Sequence, residues 1–481
     1  MFAADWFTVT AVTAGAKVTI VNQGSGGEKP SLQCSTDGGA TWTTFTAGSS
    51  SVTLPAVGSK AMFKGVNPNG FNREYNSGYR FSSTADIAVS GNIMTLIDGD
   101  SPGTTITAEA CFALLFMNCD KLVSAQGLQM PATTVSPFCY YRMFYRCSRL
   151  ADAPEVIGAK KLTNDACHDM FYQCKLLTEA PRMAADTVYD SGCENMFIGC
   201  TALTTVPDLP FKAIGTKGCS AMFSSCTALT TAPNMPSLIS AGEMGCAYMF
   251  TGCTQMVSSP VLAAKTIGEA GYKEMFSKCT ALTSAPHMAA ETVGKYGCYR
   301  MYSGCNKLSS SPDLTAQYVS TNAYQEMFAS CAALTAAPRI EAIVIGISTC
   351  NKMFSSCTAL VSAPAELPAT AVSDSGCYAM FEKCTRLTAA PSMPNVRVVG
   401  LHGCRTMYSG CTSLTAGPAV LAAERIMDYG YAEMFTGCSK LTSVAGKLPA
   451  AIAGSYGYQR MFFNCAALTT APSIAASTVG T

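Results

Sequence analysis

Gly376-Cys377-Tyr378-Ala379-Met380-Phe381-Glu382-Lys383-Cys384-Thr385-Arg386-Leu387-Thr388-Ala389-Ala390-Pro391 is one copy of a text that recurs along the chain. Met-Phe or Met-Tyr begins at Met143, Met170, Met196, Met222, Met249, Met275, Met301, Met327, Met353, Met380, Met407, Met434 and Met461, at steps of 26 or 27 residues. A Cys stands three residues after each aromatic, from Cys147 to Cys465, and the degenerate copy Leu115-Phe116-Met117-Asn118-Cys119 brings the total to 14. Self-similarity at such a period signals stacked supersecondary units, none of which buries its apolar face alone. Within a unit, Leu-Thr-Thr-Ala (Leu229 to Ala232) ahead of Pro233 reads as a very short strand, because Pro cannot donate to a ladder. Cys377, Met380, Phe381 and Cys384 fall at i, i+3, i+4 and i+7, which predicts a helix of about two turns. The expected fold is an α/β solenoid: a leucine-rich-repeat-like stack of about 14 units of 26–27 residues, each a short parallel strand plus a short helix.

The 25 Cys fall into two series and one solitary residue, Cys34. The second series (Cys111, Cys139, Cys167, Cys193, Cys219, Cys246, Cys298, Cys350, Cys377, Cys404) mostly precedes the first by seven residues, but Tyr272, Tyr324, Tyr431 and Tyr458 replace it in four repeats. Pairing between the series would leave Cys279, Cys331, Cys438 and Cys465 without partners, so the thiols read as small buried hydrophobes in ladders. There is no CxxC and no His-rich spacing, and neither a metal nor a cofactor is expected.

Residues 1–98 lack the repeat. Phe7–Thr10, Lys17–Val21, Ser31–Cys34, Thr41–Phe45, Ser51–Leu54 and Ala61–Gly65 carry strand signals at regular spacing, which suggests a small all-β sandwich-like domain ahead of a solenoid over 99–481. Ser35-Thr36-Asp37-Gly38-Gly39-Ala40-Thr41-Trp42 matches an Asp-box, read here as a hairpin stabilised by Asp37 and Trp42 rather than as glycosidase chemistry. Gly24-Ser25-Gly26-Gly27 reads as a hairpin loop, and Phe81 through Ile97 as the joint and N-terminal cap of the solenoid.

Composition narrows function without naming it. Lys+Arg 32 against Asp+Glu 31 leaves a net charge of +1, which provides no field for nucleic acid or anionic lipid. No stretch approaches the ~18 apolar residues of a membrane span, and the amino terminus, Met1-Phe2-Ala3-Ala4-Asp5-Trp6, carries no secretory signal. Catalysis finds little support. Only His168, His287 and His402 occur, each in a different repeat, and the adjacent Cys167-His168 pair would point apart on a helix.

The repeat Met-Phe-x-x-Cys-Thr-x-Leu-Thr-x-Ala-Pro, with the Asp-box domain and the Gly91-Asn92-Ile93-Met94 joint, resembles BspA-like leucine-rich-repeat proteins of gut bacteria and of their bacteriophages. It departs from the commonest BspA repeat, which is shorter and richer in Ile-Pro and Ala-Phe. The resemblance implies attachment: a non-enzymatic virion appendage (tail or head fibre, receptor-binding or adhesion protein) whose residues 1–98 dock to virion proteins and whose solenoid meets a host-cell glycan or protein. A bacterial cell-surface adhesin and a passive spacer or capsid decoration are the alternatives.

Candidate recognition positions are the strand hydroxyls Thr204, Thr230, Thr283, Thr335, Thr388 and Thr442, together with the charged residues that follow the repeat Pro: Arg182, Asp208, His287, Asp313 and Arg339. The bland reading of the Thr row is that Thr is a good strand former. Ile340 through Ile347 departs from the repeat, either as a partner surface or through insertion drift. The last unit stops at Thr481 before its expected helix, so either the chain continues or another subunit of a homo-oligomer covers the edge, as in a trimeric fibre.

Overall fold

A computed structural model of the chain describes residues 5–24 and 28–480. The Met1–Ala4 start and the centre of the expected Gly24–Gly27 hairpin, Ser25 to Gly27, lie outside them. Two compact units divide the chain, Met1–Leu238 and Ile239–Thr481.

The first unit opens with two sheets. Strands β1 (Phe7–Ala11), β2 (Ala16–Gln23), β3 (Ser31–Ser35), β4 (Thr43–Thr46), β5 (Ser51–Leu54) and β6 (Lys60–Lys64) stand where strand signals occur; β7 (Gly78–Ser83) and β8 (Ile87–Asn92) are additional. The helix α1 (Thr95–Asp98) and strand β9 (Leu122–Gln129) follow. One sheet runs β4-β3-β6-β1-β8-β9 and the other β5-β2-β7. Phe7, Phe63 and Phe81 meet between them at ring-centroid distances of 5.1 to 6.3 Å. All the pairings are antiparallel except β8 with β9, which is parallel and carries the sheet directly into the repeats.

The Asp-box is a closed turn. Asp37 accepts hydrogen bonds from Ser35 Oγ (2.7 Å), from the Thr41 backbone (2.9 Å) and from Thr41 Oγ1 (2.5 Å), and Trp42 Nε1 donates to the Gly39 carbonyl. These bonds, led by that of the Thr41 hydroxyl, hold the Asp37 carboxyl well below the usual carboxylate range. The residues are absorbed by the hairpin itself.

Both units contain the same solenoid coil, which has three ladder rows rather than one. Two-residue parallel strands such as Thr266–Ile267 and Thr292–Val293 form the first row, Ser284–Ser310 bridges the second and Leu262–Met288 the third. The expected Leu-Thr-Thr-Ala strand is thus only a single bridge, and the longer pairing lies in the variable stretch beyond it. β-branched residues dominate there because a side chain at that point is half covered by the next coil.

The segment expected to be a helix is not one. From Gly376 to Cys384 the amides alternate: Tyr378, Met380, Glu382 and Cys384 donate three residues back, while Cys377, Ala379, Phe381 and Lys383 donate to carbonyls of the next coil at 2.7 to 2.9 Å. Ser375, Ala379 and Lys383 have φ of 54°, 50° and 60°, and the pattern repeats in the other coils. A helix would keep every donor to itself. The nested turns release every second donor to a neighbour, which offsets left-handed backbone costing about 1 to 3 kcal/mol per residue. The i, i+3, i+4, i+7 pattern still holds, since Cys377, Met380, Phe381 and Cys384 are all fully buried.

The aromatic of Met-Phe or Met-Tyr stacks coil on coil, as in Phe276, Tyr302 and Phe328 at 5.6 and 5.3 Å. Among the described residues no disulfide joins the Cys residues, and all but Cys465 are buried. First-series sulfurs do more than fill space: Cys305 and Cys331 donate to the Phe276 and Tyr302 carbonyls at 3.0 and 3.2 Å, and the same bond recurs along the series. Burial raises these thiols, to about 12 at Cys305 and Cys357, and keeps them protonated as donors.

Candidate recognition surface

The Thr row lies exposed on the second ladder row, but its hydroxyl hydrogens are already committed. Thr204 donates to the Thr178 carbonyl (3.2 Å), Thr283 to Val257 (3.4 Å), Thr335 to Ser309 (3.4 Å), Thr388 to Val361 (3.2 Å) and Thr442 to Thr415 (3.0 Å). Thr230 is exposed at the corresponding position. Each of the five bonded hydroxyls therefore ties its coil to the preceding one and turns only acceptor lone pairs outward.

The charged positions after the repeat Pro are largely paired with neighbouring residues. Arg182 meets Glu155, Asp208 accepts from the Asn234 amide (2.9 Å), and Arg339 bridges Asp313 (3.3 Å) and Glu341 (2.9 Å). His287 is exposed. Asp313 and Arg339 are brought together, whereas Arg182 lines a separate polar groove of about 330 Å³ with Asp152, Glu155 and Glu179.

An apolar concavity lies elsewhere, beside the stretch that departs from the repeat. Around Tyr318, the second unit carries a groove of about 540 Å³ lined by Ile267, Val293, Val319, Ile343 and Val344 among others. Tyr318 is 70% exposed, Ile343 47%, Val344 46% and Ile347 52%. A second groove of about 530 Å³, with Arg339, Glu341, Glu366 and Pro364, shares Gln317 with it. Exposed large apolar residues clustered in this way mark an interaction surface more often than scattered ones do.

The groove exists because the first ladder row is interrupted between Tyr318–Val319 and Val344–Ile345, which fall in different sheets. One small residue, Gly, is missing on both sides of the interruption. Most coils carry Gly just before the second-series position, and a Cβ built there would stand 2.6 Å from Val293 Cγ1 at Gly297, 2.9 Å from Val372 Cγ1 at Gly376 and 2.7 Å from Val399 Cγ1 at Gly403. Ala323 and Thr349 occupy this position in two successive coils, the position from which a Cβ in the Gly-bearing coils would meet the strand residue four before it. Val319 is only half-buried where its counterparts Val293 and Val372 are buried. The Val319 carbonyl lies 4.0 Å from where a Cβ on Gly346 would stand, against 3.0 Å for the Ala241 carbonyl at Gly268. Thr349, fully buried, instead donates its hydroxyl to the Ser320 carbonyl (3.1 Å). Ala110, Phe138 and Ala166 also replace Gly, in three successive coils of the first unit; Ala166 stands four residues after Leu162, which is not β-branched, and the Leu162–Val188 ladder is intact. The sequence signal was the paired loss of Gly, which a reading centred on Cys and aromatic spacing passes over. Both adjoining rows persist, through the Leu314–Ile340 bridge and the Tyr324 to Thr349 backbone bond.

Cys167 and His168 stand apart chemically. Cys167 is fully buried and its thiol is pushed far up by that burial, while His168 Nδ1 lies 2.9 Å from Asp165 at the surface. No helix among the described residues is long and apolar enough to cross a membrane.

No family model and no curated protein matches the sequence. Among solved structures, the chain is similar to a leucine-rich repeat protein from Bacteroides ovatus (17% identity, 80% of this chain and 89% of that one, TM-score 0.41). It is also similar to a leucine-rich repeat protein from Eubacterium ventriosum (15%, 82% and 88%, TM-score 0.30) and to a leucine rich cell surface protein from Faecalibacterium prausnitzii (16%, 58% and 79%, TM-score 0.26). At such scores none of these likenesses bears on function, which rests on the chain's own surface.

Proposed function

We propose that the chain is a non-enzymatic recognition protein that holds a protein partner on the outside of a cell against the apolar groove at Tyr318. The observation that carries this reading is the coincidence of the interrupted ladder with three exposed apolar side chains, Tyr318, Ile343 and Val344, lining one groove. A protein suits the groove better than a glycan because its exposed side chains are apolar and its neighbouring charges are already paired. The resemblance of the repeat supports a finer version: a bacteriophage appendage, with residues 1–98 docked to the particle and the solenoid directed at the host cell. In a homo-oligomer such as a trimer, several copies would convert weak single contacts into avidity.

The test uses labelled full-length chain on intact gut-bacterial cells, comparing wild type with Tyr318→Ser/Val344→Ser. Both side chains are exposed, so the fold is kept. Loss of a central Tyr anchor costs about 2 kcal/mol or more, and apparent affinity should fall by roughly 30-fold. Equal binding by the variant removes the groove from the reading. Absence of binding by the wild type leaves the chain a passive spacer or decoration.

A further inference from the structure

Both tryptophans of the chain, Trp6 and Trp42, stand together in the N-terminal domain. Their rings meet edge to face at 5.2 Å, and both are half-buried. Beside them the chain assembles a fixed pair of opposite charges. Lys64 ends its stem over the Trp42 ring, 4.3 Å from the centroid, and donates to both oxygens of Asp100 at 2.8 and 3.0 Å. Trp6 Nε1 donates to the same carboxylate at 2.9 Å. These bonds, that of Lys64 first, hold the Asp100 carboxyl below its ordinary range. An ion pair with so exposed a member adds little to stability, but each member here is held by an indole, which pre-organises the pair.

The pair forms one wall of a groove of about 390 Å³. Part of the lining is the outer face of the first sheet. Cross-strand pairing sets Thr44 beside Gln33 and Gln33 beside Lys64, while the alternate residues Leu32, Phe45 and Phe63 are buried in the core. Ser31, Asp98 and Ser101 complete the polar lining, and Ser31, Gln33, Thr44 and Ser101 are all exposed.

The chemistry of this lining selects an uncharged, hydroxyl-rich ligand. The carboxylates of Asp98 and Asp100 oppose an anion, and the ammonium of Lys64 opposes a cation. What is left is a fixed donor beside a fixed acceptor, next to a carboxamide and hydroxyls that both donate and accept. Neighbouring hydroxyls of a sugar ring match this, one accepting from Lys64 Nζ and the next donating to Asp100. The volume lies within the ~300 to 1,000 Å³ of small-ligand clefts. An apolar protein anchor would find only Val66, 70% exposed, among the exposed side chains of the lining.

We propose that this groove is a second recognition site, for an uncharged glycan, in which Lys64 and Asp100 read adjacent ring hydroxyls and Gln33 and Thr44 bind the same sugar across the sheet face. Trp6 and Trp42 are positioning residues for the charged pair. The N-terminal domain then recognises carbohydrate independently of the protein partner at Tyr318.

The experiment places labelled full-length chain on an array of neutral and sialylated oligosaccharides and titrates the bound members in solution. Because Trp42 carries Lys64 and Trp6 bonds Asp100, intrinsic tryptophan emission reads occupancy of the groove. Neutral members should bind and shift the emission. Gln33→Ala/Thr44→Ala should weaken them roughly tenfold, the loss of about two hydrogen bonds to the ligand, and keep the melting temperature because both side chains are exposed. Tyr318→Ser/Val344→Ser should bind the same members as wild type does. Binding limited to sialylated members, no binding by wild type, or an unchanged affinity in Gln33→Ala/Thr44→Ala would overturn the proposal. So would loss of glycan binding in Tyr318→Ser/Val344→Ser, which would move the sugar to the other groove.

Discussion

If paired loss of Gly is what opens the ladder at Tyr318, the same opening can be created elsewhere. Gly376→Ala/Gly403→Ala reproduces the Ala323 and Thr349 situation two coils further on. The new Cβ atoms would stand 2.9 Å from Val372 Cγ1 and 3.1 Å from Ile345 Cγ2 at position 376, and 2.7 Å from Val399 Cγ1 and 3.0 Å from the Gly400 carbonyl at position 403. Ordinary carbon contacts lie near ~3.5 to 4.0 Å, so the strand residues must move by several tenths of an ångström. Overpacking of this kind costs about 1 to 3 kcal/mol per site. Removing the freedom of Gly from the unfolded chain returns about 0.4 to 1 kcal/mol each. The expected net loss is therefore about 0 to 5 kcal/mol for the pair, and the two changes should couple because they act on one ladder. Because repeat arrays open locally, native-state hydrogen exchange at the Gly400 amide, which donates to the Val372 carbonyl at 2.8 Å, reads the effect directly. Faster exchange there, with the distant amide of Gly294 unchanged, is expected. Unchanged Gly400 protection in a stably folded double variant would refute the steric account. The reverse change, Ala323→Gly/Thr349→Gly, should restore pairing of Val344–Ile345 to the preceding strand and shrink the groove.

Three further outcomes follow from the core and the joint. Native protein should show rapid thiol labelling at no more than Cys465, with all 25 thiols appearing only on unfolding; fast labelling at buried positions would contradict the raised thiols. Acidification from pH 7.5 to 5.5 should lower the melting temperature of wild type more than that of His402→Asn, a variant that tolerates the φ of 54° without titrating. Burial first and the Arg405 charge second depress His402, against the pull of Asp374 and Asp428; the unfolded chain then binds more protons below its ordinary value of about 6.5, and stability falls with pH. Equal pH profiles would remove that contribution. Deleting residues 1–98 should leave a poorly soluble chain, because β9 loses its β8 partner and Phe116 loses Phe7 and Phe81; a monomeric, cooperatively folded 99–481 would show that the joint is dispensable.

Spacing in the sequence determined the repeat, its period, the identity of the buried face and the burial of the thiols in ladders, because stacked identical coils make each core position a ladder and a ladder tolerates few residue types. Six of the eight strands within residues 1–98 were legible for the same local reason, alternation bounded by turn residues, whereas β7 and β8 were not. What the apolar spacing could not distinguish was a helix from nested turns, since both bury Cys377, Met380, Phe381 and Cys384. Hydrogen bonds to the next coil made that choice, and they exist only once two coils are stacked. Gly199, Gly252, Gly304, Gly410 and Gly437, all at positive φ just before a first-series Cys, were the one local hint of left-handed backbone. The Thr row was readable as a surface, but that its hydroxyl protons are spent on the preceding coil depended on the coil register. The groove at Tyr318 left only the loss of Gly at Ala323 and Thr349 as a trace in the sequence; that the ladder breaks there, between Tyr318–Val319 and Val344–Ile345, emerged only with the coils stacked.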